Sequence, residues 1–346
     1  MVVLSLLIGM LFPGAREPEP APPPAPEGTV IVLNKADASA SFFGREGGEE
    51  IARVPVGVGP HEVAVSPDGR TAVVSNYGDM TPGQSLTVID VATAKATSTI
   101  DLGDYRRPHG IAFTPDGSRV LVTCEVQQAL LTVNVGEARV ESALTTGQKA
   151  SHMVALASDG VRAYVSNIAS GTVTAFDIVK NLALATIATD AGAEGIDVSP
   201  DGREVWVANN KADNISIIEA ESLKVVSTLP CPKFPIRVKF TPDGKHVLVS
   251  CAASGDLAVF DAVKRAELRR ISMRRDDEVF DPQGPFGDSP VPLGIMVPPD
   301  GKHAYICNTR AGWVSVVDLA TWAVTEHFKA GPGPDGIGFT QVMPES

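Results

Sequence analysis

The chain has 346 residues, 44% of them hydrophobic but only 5% aromatic, and a net charge of −12. That length and apolar content are enough to bury a large core in one folded unit. The negative balance argues against nucleic acid or an anionic membrane surface as partner, because phosphates would be repelled.

The N-terminus carries an apolar run, Val2–Phe12, interrupted only by Ser5 and Gly9. It is shorter than the ~20 residues that span a bilayer. It reads as the core of a secretory signal peptide that lacks its basic leading segment, with Ala15 before the cleavage point. Residues 1–15 are therefore expected to direct export to the periplasm or the cell exterior. Residues 16–28 hold prolines at 18, 20, 22, 23, 24 and 26. They exclude helix and sheet and predict an extended linker.

From residue 29 to 346 the chain reads as one array of short strands. The unit Pro60–Gly69, PHEVAVSPDG, recurs as RPHGIAFTPDG, SHMVALASDG, AEGIDVSPDG, FPIRVKFTPDG and VPLGIMVPPDG, with a final GPDGIGFT that stops before its turn. The turn aspartates Asp68, Asp116, Asp159, Asp201, Asp243 and Asp300 are spaced by 48, 43, 42, 42 and 57 residues. A period in the forties marks a repeat architecture. Each repeat continues with three more strands rich in Val, Ile, Thr and aromatics, bounded by Gly, Asn, Asp or Ser. After Asp159 these are VRAYVSN, GTVTAFD and LALATIA. Proline at the second position and glycine at the fourth suit a type I turn. Asp90, Asp177, Asp261 and Asp318 close the third strands, where a carboxylate can accept from nearby backbone N–H groups.

Four strands per repeat, arranged radially, make a propeller blade. Six sets are complete between Pro60 and Lys329. The C-terminal copy supplies only a first strand, and Thr29–Gly57 supplies the other three. The prediction is an all-β, seven-bladed β-propeller of four-stranded antiparallel blades. One C-terminal strand joins three N-terminal strands, which covers the edges each loose end would expose.

The stretches AYVSNIASGTVTAFDIVKNLALATI and VWVANNKADNISIIEAESLKVVSTL resemble the YVTN-family β-propeller repeat, and Tyr164–Asn167 is one substitution from that pattern. The resemblance covers Thr29–Thr340 and implies a propeller fold more than an activity. Its relatives include bacterial periplasmic proteins of unknown role and archaeal surface-layer proteins. More distant are quinoprotein amine dehydrogenase heavy chains and the copper- or haem-bearing propellers of denitrification enzymes.

Aligning the seven first strands exposes a candidate site. The second residue of each is, in ring order, His61, His109, His152, Glu194, Ile236, Leu293 and Asp335. Ring closure makes Asp335 the neighbour of His61. Five adjacent blades thus offer three imidazoles and two carboxylates at one level of the central channel, above an aliphatic row of Val63, Ile111, Val154, Ile196, Val238, Ile295 and Ile337. Imidazole with carboxylate suits one divalent transition metal, Zn, Cu or Fe. The same five residues would otherwise serve as a polar, ligand-binding channel mouth.

Two further features fall on that face. Cys231 and Cys251 are the preferred disulfide among the four cysteines, all of which lack metal-knuckle spacing. The insertion Met273–Val291 is a candidate lid. The favoured reading is an exported, monomeric binding or scaffold protein that takes a small molecule or protein partner on the mouth face. The alternative is a metal-assisted, lactonase-like hydrolase or a periplasmic redox protein using the same ring.

Overall fold

The protein is described here from a computed structural model, which covers residues 28–45 and 48–345. The expected signal peptide and nearly all of the expected linker lie outside the described residues. The rest forms seven antiparallel four-stranded sheets, as the sequence predicts. No helix among the described residues is long and apolar enough to cross a membrane.

Blades one to six run in chain order from Pro60 to Lys329, and their first strands line the channel. Blade seven is the composite one. Its first strand, Pro334–Thr340, pairs with Thr29–Asn34, placing Thr29 opposite Thr340 and Val32 opposite Ile337. Apolar side chains from adjacent sheets interdigitate between blades. Trp206 of blade four, for example, meets Phe240 and Phe260 of blade five edge-on. Such pairs add to the burial energy that holds the ring shut.

The Pro-Asp-Gly turns are closed by their aspartates. Asp68 Oδ1 accepts from Ser66 Oγ at 2.6 Å and from Arg70 N–H at 3.0 Å, while Gly69 N–H donates to Ser66 C=O at 2.8 Å. Gly69 sits at φ +75°, a conformation that favours glycine. The third-strand aspartates also act as expected: Asp177 accepts from Lys180 N–H at 2.8 Å.

The asparagine ending most second strands is a buried clamp. Asn167 Nδ2 reaches Thr174 Oγ1 at 3.0 Å, Asn76 Nδ2 reaches Thr87 Oγ1 at 3.0 Å, and Asn209 Nδ2 reaches Ser216 Oγ at 2.9 Å. Blades two and five carry Cys124 and Cys251 at this position. The residues facing the missing amide are then Leu131 and Ala258, with no hydroxyl to satisfy.

In all seven first strands the pairing register shifts between the first residue and the fourth. The two residues between are released from the ladder, so side-chain alternation fails there. That local break governs which side chains enter the channel.

Candidate functional site

In blades one to three, the hydroxyl one residue before the clamp position fixes the site residues. Ser75 Oγ accepts from Glu62 N–H at 3.1 Å and donates to the His109 carbonyl of the next blade at 2.8 Å. Thr123 links Gly110 to the His152 carbonyl in the same way, and Ser166 links Met153 to the Glu194 carbonyl. Blades one to three therefore each set the backbone from which the next blade's site residue projects.

All five expected residues gather at the mouth and all are buried. The three imidazoles form a stacked row, with ring centroids 4.6 Å apart for His61–His109 and 3.8 Å for His109–His152. At one end, His61 Nδ1 lies 2.9 Å from Asp335 Oδ2, close enough for an ion pair but out of line for a hydrogen bond. At the other end, His152 is held on both nitrogens, Nδ1 at 2.6 Å from Glu125 and Nε2 at 3.0 Å from Glu194. Both nitrogens can donate only when the ring is protonated. Burial opposes that charge, but Glu194 and Glu125 overcome it and raise the His152 pKa to about 9. His109 behaves oppositely. Burial, then the charges of His152 and His61, push its pKa well below the usual histidine value, and its buried Nδ1 has no partner.

The structure adds four residues to the site. Glu125 follows the second strand of blade two and accepts from Tyr77 Oη at 2.7 Å. Tyr77 packs edge-on against His61, with centroids 4.4 Å apart, under the Arg107 guanidinium. Arg237 of blade five donates to Glu194 at 3.1 Å and, across the channel, to Glu62 of blade one at 2.6 Å. A continuous polar chain thus runs Tyr77–Glu125–His152–Glu194–Arg237–Glu62. Burial raises the pKa of Glu62 despite Arg237. Burial also works against the Glu194 charge, but His152 and Arg237 outweigh it and lower that pKa.

Strict alternation from His61 skips residues 62 and 237 and places the aliphatic row directly beneath the ring. In the folded chain the register shift brings Glu62 and Arg237 between the two levels. A signal was present: the row after the ring is Glu62, Gly110, Met153, Gly195, Arg237, Gly294 and Gly336. A Glu and an Arg in a mostly glycine row stand out.

The two apolar ring positions complete the mouth differently. Ile236 and Leu293 pack with Phe234, Val291 and Phe286. Phe286 belongs to the insertion, whose Arg274 pairs with Asp288 at 2.6 Å and whose Gly287 carbonyl accepts from Arg310 at 2.6 Å. The insertion is seated over the apolar half of the mouth, leaving the histidine row on the other half. The Cys231 and Cys251 sulfurs lie 3.7 Å apart, both buried, as free thiols.

Of this cluster, His109, Glu125 and His152 each offer a ligating atom within 4.8 Å of the others. His61, Glu194 and Asp335 border that trio.

The family model for the seven-bladed β-propeller lactonases matches residues 49–274. The chain belongs to that family. This label differs from the YVTN repeat that the sequence resembles. The lactonase-family propeller is similar to the uncharacterized protein YncE of Salmonella typhi, 25% identical over 195 residues, 55% of this chain and 54% of that protein. It is also similar to dihydro-heme d1 dehydrogenase of Pseudomonas aeruginosa, 23% identical over 321 residues, 76% of this chain and 64% of that protein. The chain thus spans about half to two thirds of the length of these curated relatives. Among solved structures, a functionally unknown protein from Desulfotomaculum acetoxidans superposes with TM-score 0.74 at 16% identity, covering 92% of this chain and 99% of that one. Kuenenia stuttgartiensis hydrazine synthase superposes with TM-score 0.68 at 20% identity, covering 80% and 88%. At these identities the two superpositions bear on the fold alone.

Proposed function

We propose that this propeller is an exported binding protein that captures one divalent transition metal at its channel mouth, and through it a small ligand or partner. The observation that carries the reading is His109. It is a buried, neutral imidazole with an unpartnered Nδ1, set within reach of a carboxylate and a second imidazole. An unmet buried donor or acceptor is costly unless something binds there. His109, Glu125 and His152 are the proposed ligands, with His61, Glu194 and Asp335 as bordering groups that complete or orient the set. His152 must surrender the proton it shares with Glu125, so metal uptake releases a proton and affinity rises with pH. Export rests on the apolar run Val2–Phe12 and is read directly from the N-terminal mass of the native protein.

The test is metal content and calorimetric titration with Zn²⁺, Cu²⁺ and Fe²⁺ on the purified protein. One equivalent should bind to the wild type. His109→Ala and His152→Ala should each lose at least about tenfold in affinity, as removal of a ligand or its support does. His246→Ala, on a second strand away from the mouth, should bind as the wild type does. Equal, sub-stoichiometric metal in wild type and His109→Ala would reject the metal site.

The family match favours a second reading, metal-assisted hydrolysis of a lactone, and the dihydro-heme d1 dehydrogenase relative favours a redox role. Turnover of a simple lactone by the metal-loaded protein, lost in His109→Ala, would replace the binding reading with the first. A metal-centred redox wave, lost in the same variant, would replace it with the second.

A further inference from the structure

Below the mouth, the channel opens again toward the Pro-Asp-Gly face into a cavity of about 580 Å³. Its walls are the aliphatic row, Ile111, Val154, Ile196, Val238, Ile295 and Ile337, and its roof is Glu62 and Arg237. The level between mouth and cavity is nearly closed by backbone. A Cβ on Gly110, Gly195, Gly294 or Gly336 would come within 2.1–2.6 Å of the next blade's main chain. The three non-glycine residues of that row all line the cavity, Glu62 and Arg237 from above and Met153 from its wall.

Arg237 is only 7% exposed. Its Nη2 and Nη1 donate to Glu62 at 2.6 Å and Glu194 at 3.1 Å, but its buried Nε–H has no acceptor. A buried guanidinium satisfied on two nitrogens and orphaned on the third calls for one more oxygen. Glu62 and Glu194 already balance its charge. An anion would therefore meet Glu62, and a cation would meet Arg237. The other charged pair on the lining, Asp197 with Lys239 at 3.3 Å, is mutually neutralised.

We propose that this lower cavity is a second binding site, for a small uncharged amphiphile. Its apolar body lies on the aliphatic wall, and one carbonyl or hydroxyl oxygen accepts from Arg237 Nε–H. The volume is that of a typical small-ligand pocket, and an aliphatic wall beneath a few placed polar groups is a usual composition for one. The site opens on the face opposite the mouth and does not depend on the metal reading.

Three probes of one chain length test it on the full-length protein: 2-nonanone, nonanoate and nonylamine, followed by calorimetry and ligand-observed NMR. The ketone should bind at one equivalent, at least about tenfold tighter than either charged probe. Met153→Trp, which fills the cavity from its wall, should abolish ketone binding, whereas His109→Ala should leave it unchanged. Arg237→Met should weaken ketone binding about tenfold if it folds. If either cavity variant melts differently from the wild type, the wild-type preference among the three probes decides. No ketone binding, equal binding of the three probes, or undiminished binding by folded Met153→Trp would overturn the proposal.

Discussion

Arg237 shows how much one side chain does here. It is buried between two carboxylates and pins blade five to blades one and four through Glu62 and Glu194. Removing one partner of a buried ionic set leaves uncompensated charge and typically costs 3–5 kcal/mol, far more than the net worth of the pair. Arg237→Met is therefore expected to destabilise the protein by about 3–5 kcal/mol in denaturant unfolding. Arg203→Met, whose partner Asp201 is on the surface, should cost under about 1 kcal/mol. Equal effects would mean that the channel chain is no more than a solvated surface network. The same chain explains two histidines with opposite proton affinity at 3.8 Å separation. Glu194 and Glu125 commit the proton to His152, while burial and then the His152 charge suppress protonation of His109.

At the scale of the strand and its loops, the Ser-Asn pair of blades one and three divides two jobs. The hydroxyl ties the first strand to the next blade, and the amide clamps the third strand. Where cysteine replaces asparagine in blade five, a second cysteine from the preceding inter-blade loop comes to 3.7 Å. Treatment of the folded protein with oxidised glutathione is expected to join Cys231 to Cys251 through a mixed disulfide. The two thiols lose two hydrogens, and one glutathione disulfide is reduced to two thiols. Alkylation under denaturing conditions should then count two thiols fewer than the four in the reduced chain. Peptide mapping should recover the Cys231–Cys251 link, and Cys231→Ser should abolish it. The closed loop is short, so the added stability should not exceed about 3 kcal/mol. Four alkylated thiols after oxidation would show that the burial of both sulfurs forbids the bond.

For the whole molecule, ring closure is the decisive contact. Pro334–Thr340 supplies the inner strand of blade seven, and Asp335 on it completes the polar arc beside His61. Deleting everything after Lys329 removes that strand and exposes the Thr29–Asn34 edge and the flank of blade six. A melting temperature lowered by ten degrees or more is expected on the scale of per-domain unfolding entropies. An unchanged melt would contradict closure by this strand. The deletion should also perturb the mouth, because it takes away one of the five ring residues.

The sequence alone determined the blade count, the composite closing blade and the five-residue arc. Each follows from a pattern repeated every forty-odd residues, and a closed ring leaves little choice of neighbours. It also marked the turn aspartates, whose turn-closing partners lie within five residues, though not the pairing of Asp300 with Arg45 of blade seven. What only the tertiary structure decided was the traffic across the channel. Glu62 and Arg237 are 175 residues apart, and they meet because the register shift turns both inward from opposite walls. The proton distribution along the histidine row follows from that meeting, since it depends on burial and on carboxylates supplied by other blades. Glu125 escaped notice because it lies past the end of a second strand, outside the aligned row. No periodicity reports where a loop side chain points once neighbouring blades have closed around it.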